Sequence, residues 1–431
     1  MKSSKHIMFV LIFLLLLTAC QPTPETDIVV SDKLQEEIIT APALSPYSFI
    51  VPHTWQESFS SKNLTVNIDV LLDIPEVNLY PVTQIVKEDS TEEIMRRMLQ
   101  YFAQDAPVYA GERVWTKKEI NEELMNIKAG TPKIGYYSFP KAREYGIESM
   151  ESWLKDAPEA IEEVLVDALN DPLPRACYFY LSGGDGMGIW KGNDQSLLYM
   201  PMLGVGLYPE WLVEDGQVIT GEPVGTKVGP FSMTKEEAIA QGEIVLHELG
   251  ADYLKLGVVE KGRALNGHTV SVMHDGWHLT YRPQYGSLNA GQAAGSGGDE
   301  ATYIPSFEAE ELRMLINENG VHVIFWTNIA QRGEVVNANV QLMPFANVQS
   351  KAKQLMRNTF SWNELDEHVT YTVYNMELLS ALVPVKDEPD MALTIPAWFI
   401  TGRLAFEDSG DTRDEQLVIS ALDGRRIDRI G

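Results

Sequence analysis

The chain of 431 residues carries 61 Asp and Glu against 34 Lys and Arg, a formal net charge of −27. Hydrophobic residues make up 45% of it, with 9 Trp and 17 Tyr, too much apolar and aromatic surface for a disordered polymer. The negative charge disfavours nucleic acid as a partner, and the length allows two or three domains with cores of their own.

At the N-terminus, Lys2 and Lys5 precede an apolar run from Ile7 to Leu17. At about 11 residues the run is too short to cross roughly 30 Å of hydrocarbon as a stable span. Leu17-Thr18-Ala19-Cys20 follows. Small residues placed so before a cysteine resemble the lipobox of bacterial lipoprotein signal peptides. The resemblance implies lipidation of Cys20 through a thioether, with palmitate among the lipid's chains, and cleavage just before it. It also implies a mature chain held at the outer face of the cytoplasmic membrane. The plainer reading is a short hydrophobic helix that ends in Cys. Loss of Lys2 and Lys5 takes the charge to about −29, which repels anionic headgroups and leaves the holding to the acyl anchor. Cys177 then has no intramolecular partner. Within Ala176-Cys-Tyr-Phe-Tyr-Leu181 it reads as a packed thiol in a buried strand.

Four segments are expected: a signal peptide (1–19), a lipidated Cys with its tether (20–46), an N-terminal α+β domain (47–225) and a C-terminal α+β region (226–431). Gln21 to Pro46 is polar and proline-dotted, with one short helix over Ser31–Ile39. As a flexible tether of about 25 residues it reaches roughly 25–30 Å. Leu64 to Leu72 alternates with a period of two and predicts a strand. Ser90-Thr-Glu-Glu93 has the pattern of a capping box and opens a helix through Met95, Met98 and Phe102. Lys117–Lys128 and Ser149–Leu169 are further helices, and Ser182-Gly-Gly-Asp-Gly-Met-Gly188 a loop.

In the C-terminal region Thr234-Lys-Glu-Glu237 is a second capping box. Behind it Ala238, Ile239, Val245, Leu246 and Leu249 line one helical face up to Gly250. Two hairpins follow. Asp275-Gly276 is expected to join Thr269–His274 to Trp277–Arg282. Asn319-Gly320 is expected to join Leu312–Asn317 to Val321–Trp326, pairing Ile316 with Val323 and Met314 with Phe325. A second helix, Phe345–Phe360, leads into strands Val369–Tyr374, Met391–Leu404 and Gln416–Ala421, the last turning at Asp423-Gly424 into Arg425–Ile430. Two consecutive helix-then-strands units suggest an internal duplication.

Three stretches carry a likeness: Ser306-Phe-Glu-Ala-Glu-Glu-Leu through Asn319-Gly-Val-His-Val-Ile-Phe-Trp326; Val340-Gln-Leu-Met-Pro-Phe345; and Ile395-Pro-Ala-Trp398 with Val418-Ile-Ser-Ala-Leu-Asp-Gly424. They resemble an uncharacterised family of Firmicute lipoproteins. The Thr234 helix and the closing Ala-Leu-Asp-Gly also resemble PepSY-type domains and YycI-like extracytoplasmic regulators. That resemblance, from about Phe231 onward, implies small modules of a helix packed on one face of an antiparallel sheet. Such modules are implicated in inhibiting peptidases or modulating envelope signalling. It implies no catalytic residues. Ser420 departs from the pattern, where relatives tend to have Asn, and the insertion from Gly291 to Gly298 is long.

Constellations able to carry chemistry are few. His274-Asp-Gly-Trp-His278 would present two imidazoles on one face only as a helix; with a turn at Asp275-Gly276 they point to opposite faces and share no ion. His247-Glu248 has Ala251 where a zincin needs its second His. The glycine-rich loop lacks the Gly-Lys-Ser/Thr of a phosphate cradle. Asp185 and Asp194 near it could reach a cation, a flexible connection being the plainer reading. Gly295-Ser-Gly-Gly lacks the setting of a nucleophile elbow, and no spacing singles out a carboxylate pair. Trp190, Trp211 and Trp277 could stack on sugars or fill a core.

The sequence therefore leads to an α+β lipoprotein of antiparallel sheets with helices on one face, anchored through Cys20. It is expected to bind or regulate an envelope protein through sheet edges or a sheet face, with no catalytic residues, metal or cofactor assigned. The rivals are a secreted hydrolase with its site in the N-terminal half and a solute-binding lipoprotein.

Overall fold

The computed structural model describes residues 38, 41–75, 79–87, 92–103, 108–110, 115–131, 140–160, 164–165, 177–181, 188–191, 197–200, 205–209, 228, 231–266, 272–291, 308–360, 367–385 and 388–427. It is an α+β protein whose chain divides into two compact units, each assembled from separate segments. The first takes residues 1–84, 286–306 and 334–431; the second takes 85–285 and 307–333. The boundary expected near residue 225 lies inside the second unit. Among the described residues no helix is long and apolar enough to cross a membrane.

The strands of the first unit begin with β1 (Thr54–Ser61), β2 (Leu64–Asp73) and β3 (Val82–Lys87). Those of the second include β4 (Val108–Ala110), β5 (Val164–Leu165), β6 (Cys177–Leu181), β7 (Gly188–Lys191), β8 (Leu197–Met200), β9 (Val205–Pro209), β10 (Leu254–Asn266) and β11 (Val272–Tyr285). Then come β12 (Leu288–Asn289), β13 (Glu311–Asn317), β14 (Gly320–Thr327), β15 (Ala330–Asn337), β16 (Val369–Val385), β17 (Glu388–Phe406) and β18 (Thr412–Ser420). The helices are α1 (Glu92–Ala103), α2 (Lys117–Ala129), α3 (Pro140–Asp156), α4 (Lys235–Leu249) and α5 (Phe345–Phe360).

The sheet of the first unit runs β1-β2-β16-β17-β3-β15, with β18 also on β17. β16, β17 and β18 are consecutive antiparallel neighbours, and β2 joins them through a parallel pairing with β16. Inward residues of β2 (Leu64, Val66, Ile68, Val70) meet Val348, Ala352 and Met356 of α5 and the fully buried Trp398 and Ile400 of β17. Each such large side chain contributes about 1.5–3 kcal/mol by leaving water. Ser420, also buried, accepts the N–H groups of Leu422 and Asp423 on Oγ at 3.1 and 3.3 Å, a turn-closing role that suits Ser as well as Asn.

In the second unit the order β5-β4-β6-β7-β8-β14-β13-β11-β10-β9 builds one sheet. Met95, Met98 and Leu99 of α1 and Val245, Leu246 and Leu249 of α4 pack on Leu279, Tyr281, Met314, Ile316, Ile324 and Trp326 of that sheet. The capping box at Thr234 forms, with Glu237 bonding back to it, and Gly250 closes α4 with φ of 72°. Thr116 and Glu119 cap α2 in the same way.

Three local expectations are corrected. The helix expected over Ser149–Leu169 is α3, which starts at Pro140 and ends at Asp156, two residues before Pro158 removes a donor. Asp275-Gly276 is no turn: β11 runs straight through it, opposite Arg263 and Gly262 of β10. The glycine serves a close approach, because a Cβ there would sit 2.5 Å from the Ile316 carbonyl oxygen. The β13–β14 hairpin turns one residue earlier than expected, pairing Asn317 with Gly320 and Ile316 with Val321. His322 is the extra, bulged residue before Leu315 pairs with Val323 and Met314 with Ile324.

Candidate functional site

The first sheet ends in β1, to whose outer side no described strand is paired. Eight successive pairs, from Thr54 opposite Leu71 to Ser61 opposite Leu64, hold β1 on β2 without a bulge. One side of β1 is seated against α5. Trp55 is buried and donates Nε1–H to Glu57 at 3.1 Å; Lys353 donates to the other carboxylate oxygen of Glu57 at 2.7 Å; the Arg357 guanidinium lies 4.6 Å over the Phe59 ring. The Lys353 hydrogen bond is the leading reason that the Glu57 carboxyl stays below its ordinary range. On the other side the residues are neutral and laddered. Gln56 donates to Asp69 at 2.8 Å, Ser58 to Asn67 at 2.9 Å, and Ser60 meets Thr65 at 3.4 Å.

Edge strands are usually blunted by Lys, Pro or a bulge, and β1 has none of these between Thr54 and Ser61. Its one charge, Glu57, is tied to Lys353. The strand is therefore straight, regular and locally neutral in a chain of net charge −27. An extended peptide can add there through main-chain hydrogen bonds, with alternate side chains meeting the Gln56–Ser58–Ser60 face and the α5 side.

The second unit gathers histidines on the sheet face opposite α1 and α4. His274 and His278 stand four residues apart on one uninterrupted strand, so their side chains share a face, correcting the expectation that they oppose each other. They lie about 13 Å apart along the strand and still cannot share one ion. His274 instead stacks on His322, ring centroids 3.9 Å apart at 16°. Asn317 locks that pair: its Oδ1 accepts the Asn319 N–H at 2.9 Å and its Nδ2 donates to the Asp275 carbonyl at 2.8 Å. The Nε2 of His322, 2.7 Å from the same Oδ1, must then be the donor. Burial, with His274 adding to it, depresses the His322 pKa to about 4; Glu318 opposes this. His278 lies directly across from Glu260.

Other residues singled out in the sequence fall as follows. Trp277 donates Nε1–H to the Met233 carbonyl at 2.9 Å and meets Phe231 edge-on at 5.7 Å, so it is packed and anchored. His247 is exposed at the end of α4 with Asp252 at 3.1 Å. Cys177 and Trp190 lie in β6 and β7. Cys20, Asp185, Asp194, Trp211, the loop residues 182–187, the segment 292–307 and, apart from Ile38, the short helix expected over Ser31–Ile39 lie outside the described residues. Sequence reasoning passed over β1. The alternation of Trp55, Glu57 and Phe59 followed by Lys62-Asn63 before the next strand was the signal that could have found it.

A solved structure of an uncharacterised protein from Eubacterium rectale ATCC 33656 is similar in fold, with a TM-score of 0.51 at 11% identity, over 88% of this chain and 94% of that one. No family model matches the chain. No curated protein matches it either.

Proposed function

We propose that this chain is a lipid-anchored, extracytoplasmic binding module that accepts an extended segment of an envelope protein on the outer side of β1. The observation that carries the reading is the unguarded edge: eight regular residues, no protecting charge or proline, and a seat stiffened from behind by α5. The anchor at Cys20 rests on the Leu-Thr-Ala-Cys pattern. The tether expected to run to Pro46 is shortened at its far end, where Asn337 and Asn339 donate to the carbonyls of Ile38, Ala41, Leu44 and Ser45 and Ile38 is buried. Kinship with PepSY-type and YycI-like modules draws support from the helix-then-antiparallel-strands order of both units, α4 with β10, β11, β13 and β14, and α5 with β16, β17 and β18.

A photoreactive amino acid placed at Ser58 or Ser60 in intact cells tests the edge. The expected result is an adduct with one envelope protein, mapped by mass spectrometry to an extended segment and lost when Pro replaces Glu57 or Phe59 beside the probe. Adducts that are absent, or that survive the proline, sink the proposal.

A further inference from the structure

We propose that the corner of the first unit where the tether meets the fold is a seat for the bilayer surface, with Leu44, Ile50, Leu79 and Val335 entering the boundary between headgroups and acyl chains. The inference rests on the anchor at Cys20 proposed above and concerns a surface other than the β1 edge. Three segments are tied together at this corner, and Asn339 joins them. Its carbonyl accepts the Leu44 N–H at 3.0 Å, its Oδ1 accepts the Tyr80 N–H at 2.8 Å, and its Nδ2 donates to the Leu44 and Ser45 carbonyls at 3.2 and 3.1 Å. Tyr47 adds a second tie, donating to the Val340 carbonyl and accepting the Leu342 N–H, both at 2.8 Å. The Phe49 ring meets the Tyr80 ring edge-on, centroids 6.2 Å apart.

Charge and exposure single the corner out. Ile38–Gln56, Val77–Val86 and Val335–Ser350 contain no Asp, Glu, Lys or Arg, in a chain of which 22% is charged. Among the described residues the first unit exposes six large hydrophobic side chains, and Leu44, Ile50, Leu79 and Val335 are four of them. Ile50 is 87% exposed and Val335 58%. Apolar side chains gathered in this way mark a surface that is covered in use. What covers it follows from the chain beside it. The described fold begins at the buried Ile38, so 17 residues, Gln21 to Glu37, separate Cys20 from this corner. Fully extended they span at most about 60 Å, and the corner is the point at which the anchor holds the unit. Elsewhere the acidic surface is repelled by anionic headgroups, whereas a corner without carboxylates is not. Apolar side chains sunk about 5–10 Å into the interface fix the unit's orientation instead of leaving it to turn on its tether.

The test places a photoreactive amino acid at Ile50 or Val335 of the full acylated chain in vesicles of phosphatidylcholine and phosphatidylglycerol. Phospholipid adducts are expected at both positions. They are not expected at Thr412, exposed at the far end of β17 from Thr394, which receives the Thr83 N–H beside the corner. Ile50→Asp changes a side chain already in water and should cut the Val335 adduct at least about fivefold. Adducts with a second copy of the chain in place of lipid, adducts equal at Thr412, or a Val335 adduct unaltered by Ile50→Asp overturn the seat. If Cys20→Ser removes the fatty-acid label while the parent's probes find no lipid, the seat fails and the anchor stands. A parent chain that never takes the label removes anchor and seat together.

Discussion

At the residue scale, the histidines and glycines of β11 show how much depends on a single neighbour. His322 is held neutral, donating from Nε2 to Asn317 and stacked on His274, with a pKa near 4 against 6.5 in an unfolded chain. The unfolded chain therefore binds the proton more tightly. The contribution of His322 to stability is complete above about pH 6.5 and is lost as the pH falls toward 4. Urea melts of His322→Gln are expected to show a shallower loss of stability over that window than the parent chain; equal slopes would remove His322 from the account. Gly276 is a packing residue. Gly276→Ala forces a Cβ to within 2.5 Å of the Ile316 oxygen and is expected to cost about 2 kcal/mol in the same melts. The identity of Gly276 was plain in the sequence, but its reason was not. A glycine after an aspartate signals a turn unless another strand needs the room.

At the element scale, helices were more legible than strand partners. Thr234 with Glu237, the buried Ala238–Val245–Leu249 stripe and Gly250 announce α4 before any tertiary contact is known, because each acts within four residues along the chain. Thr234→Ala removes the side chain that accepts the Glu237 N–H and is expected to cost about 1 kcal/mol, read from the melting temperature of the full chain. Strands were found with shorter bounds or altered register. In β13–β14 the sequence suggested Asn319-Gly320 as the turn. In the fold Asn317 uses its side chain to hold Asn319, His322 and Asp275 at once, and that network draws the turn back by one residue. Such a three-way bond is invisible to hydrophobic alternation, because Asp275 lies 42 positions away.

For the whole molecule, the reading rests on two ends of the chain's behaviour, an anchor and an exposed edge. Cys20→Ser is expected to abolish labelling by an alkyne fatty acid and to leave the precursor uncut by the lipoprotein peptidase; label persisting on the variant would refute the anchor. The edge belongs to the tertiary structure. β1 is outermost only because β2 pairs on its far side with β16, from Leu64 opposite Val369 onward, about three hundred residues later in the chain.

The sequence by itself determined the cap of α4 at Thr234, the α+β character, the acidic balance and the expectation of lipidation at Cys20, since all of these depend on composition or on residues within a turn or two of each other. The tertiary structure decided which strand is left unpaired, that His278 faces Glu260, and that Asp275-Gly276 continues a strand. Those outcomes turn on which distant segments pair, and a side chain's period along its own strand carries no information about the strand beside it.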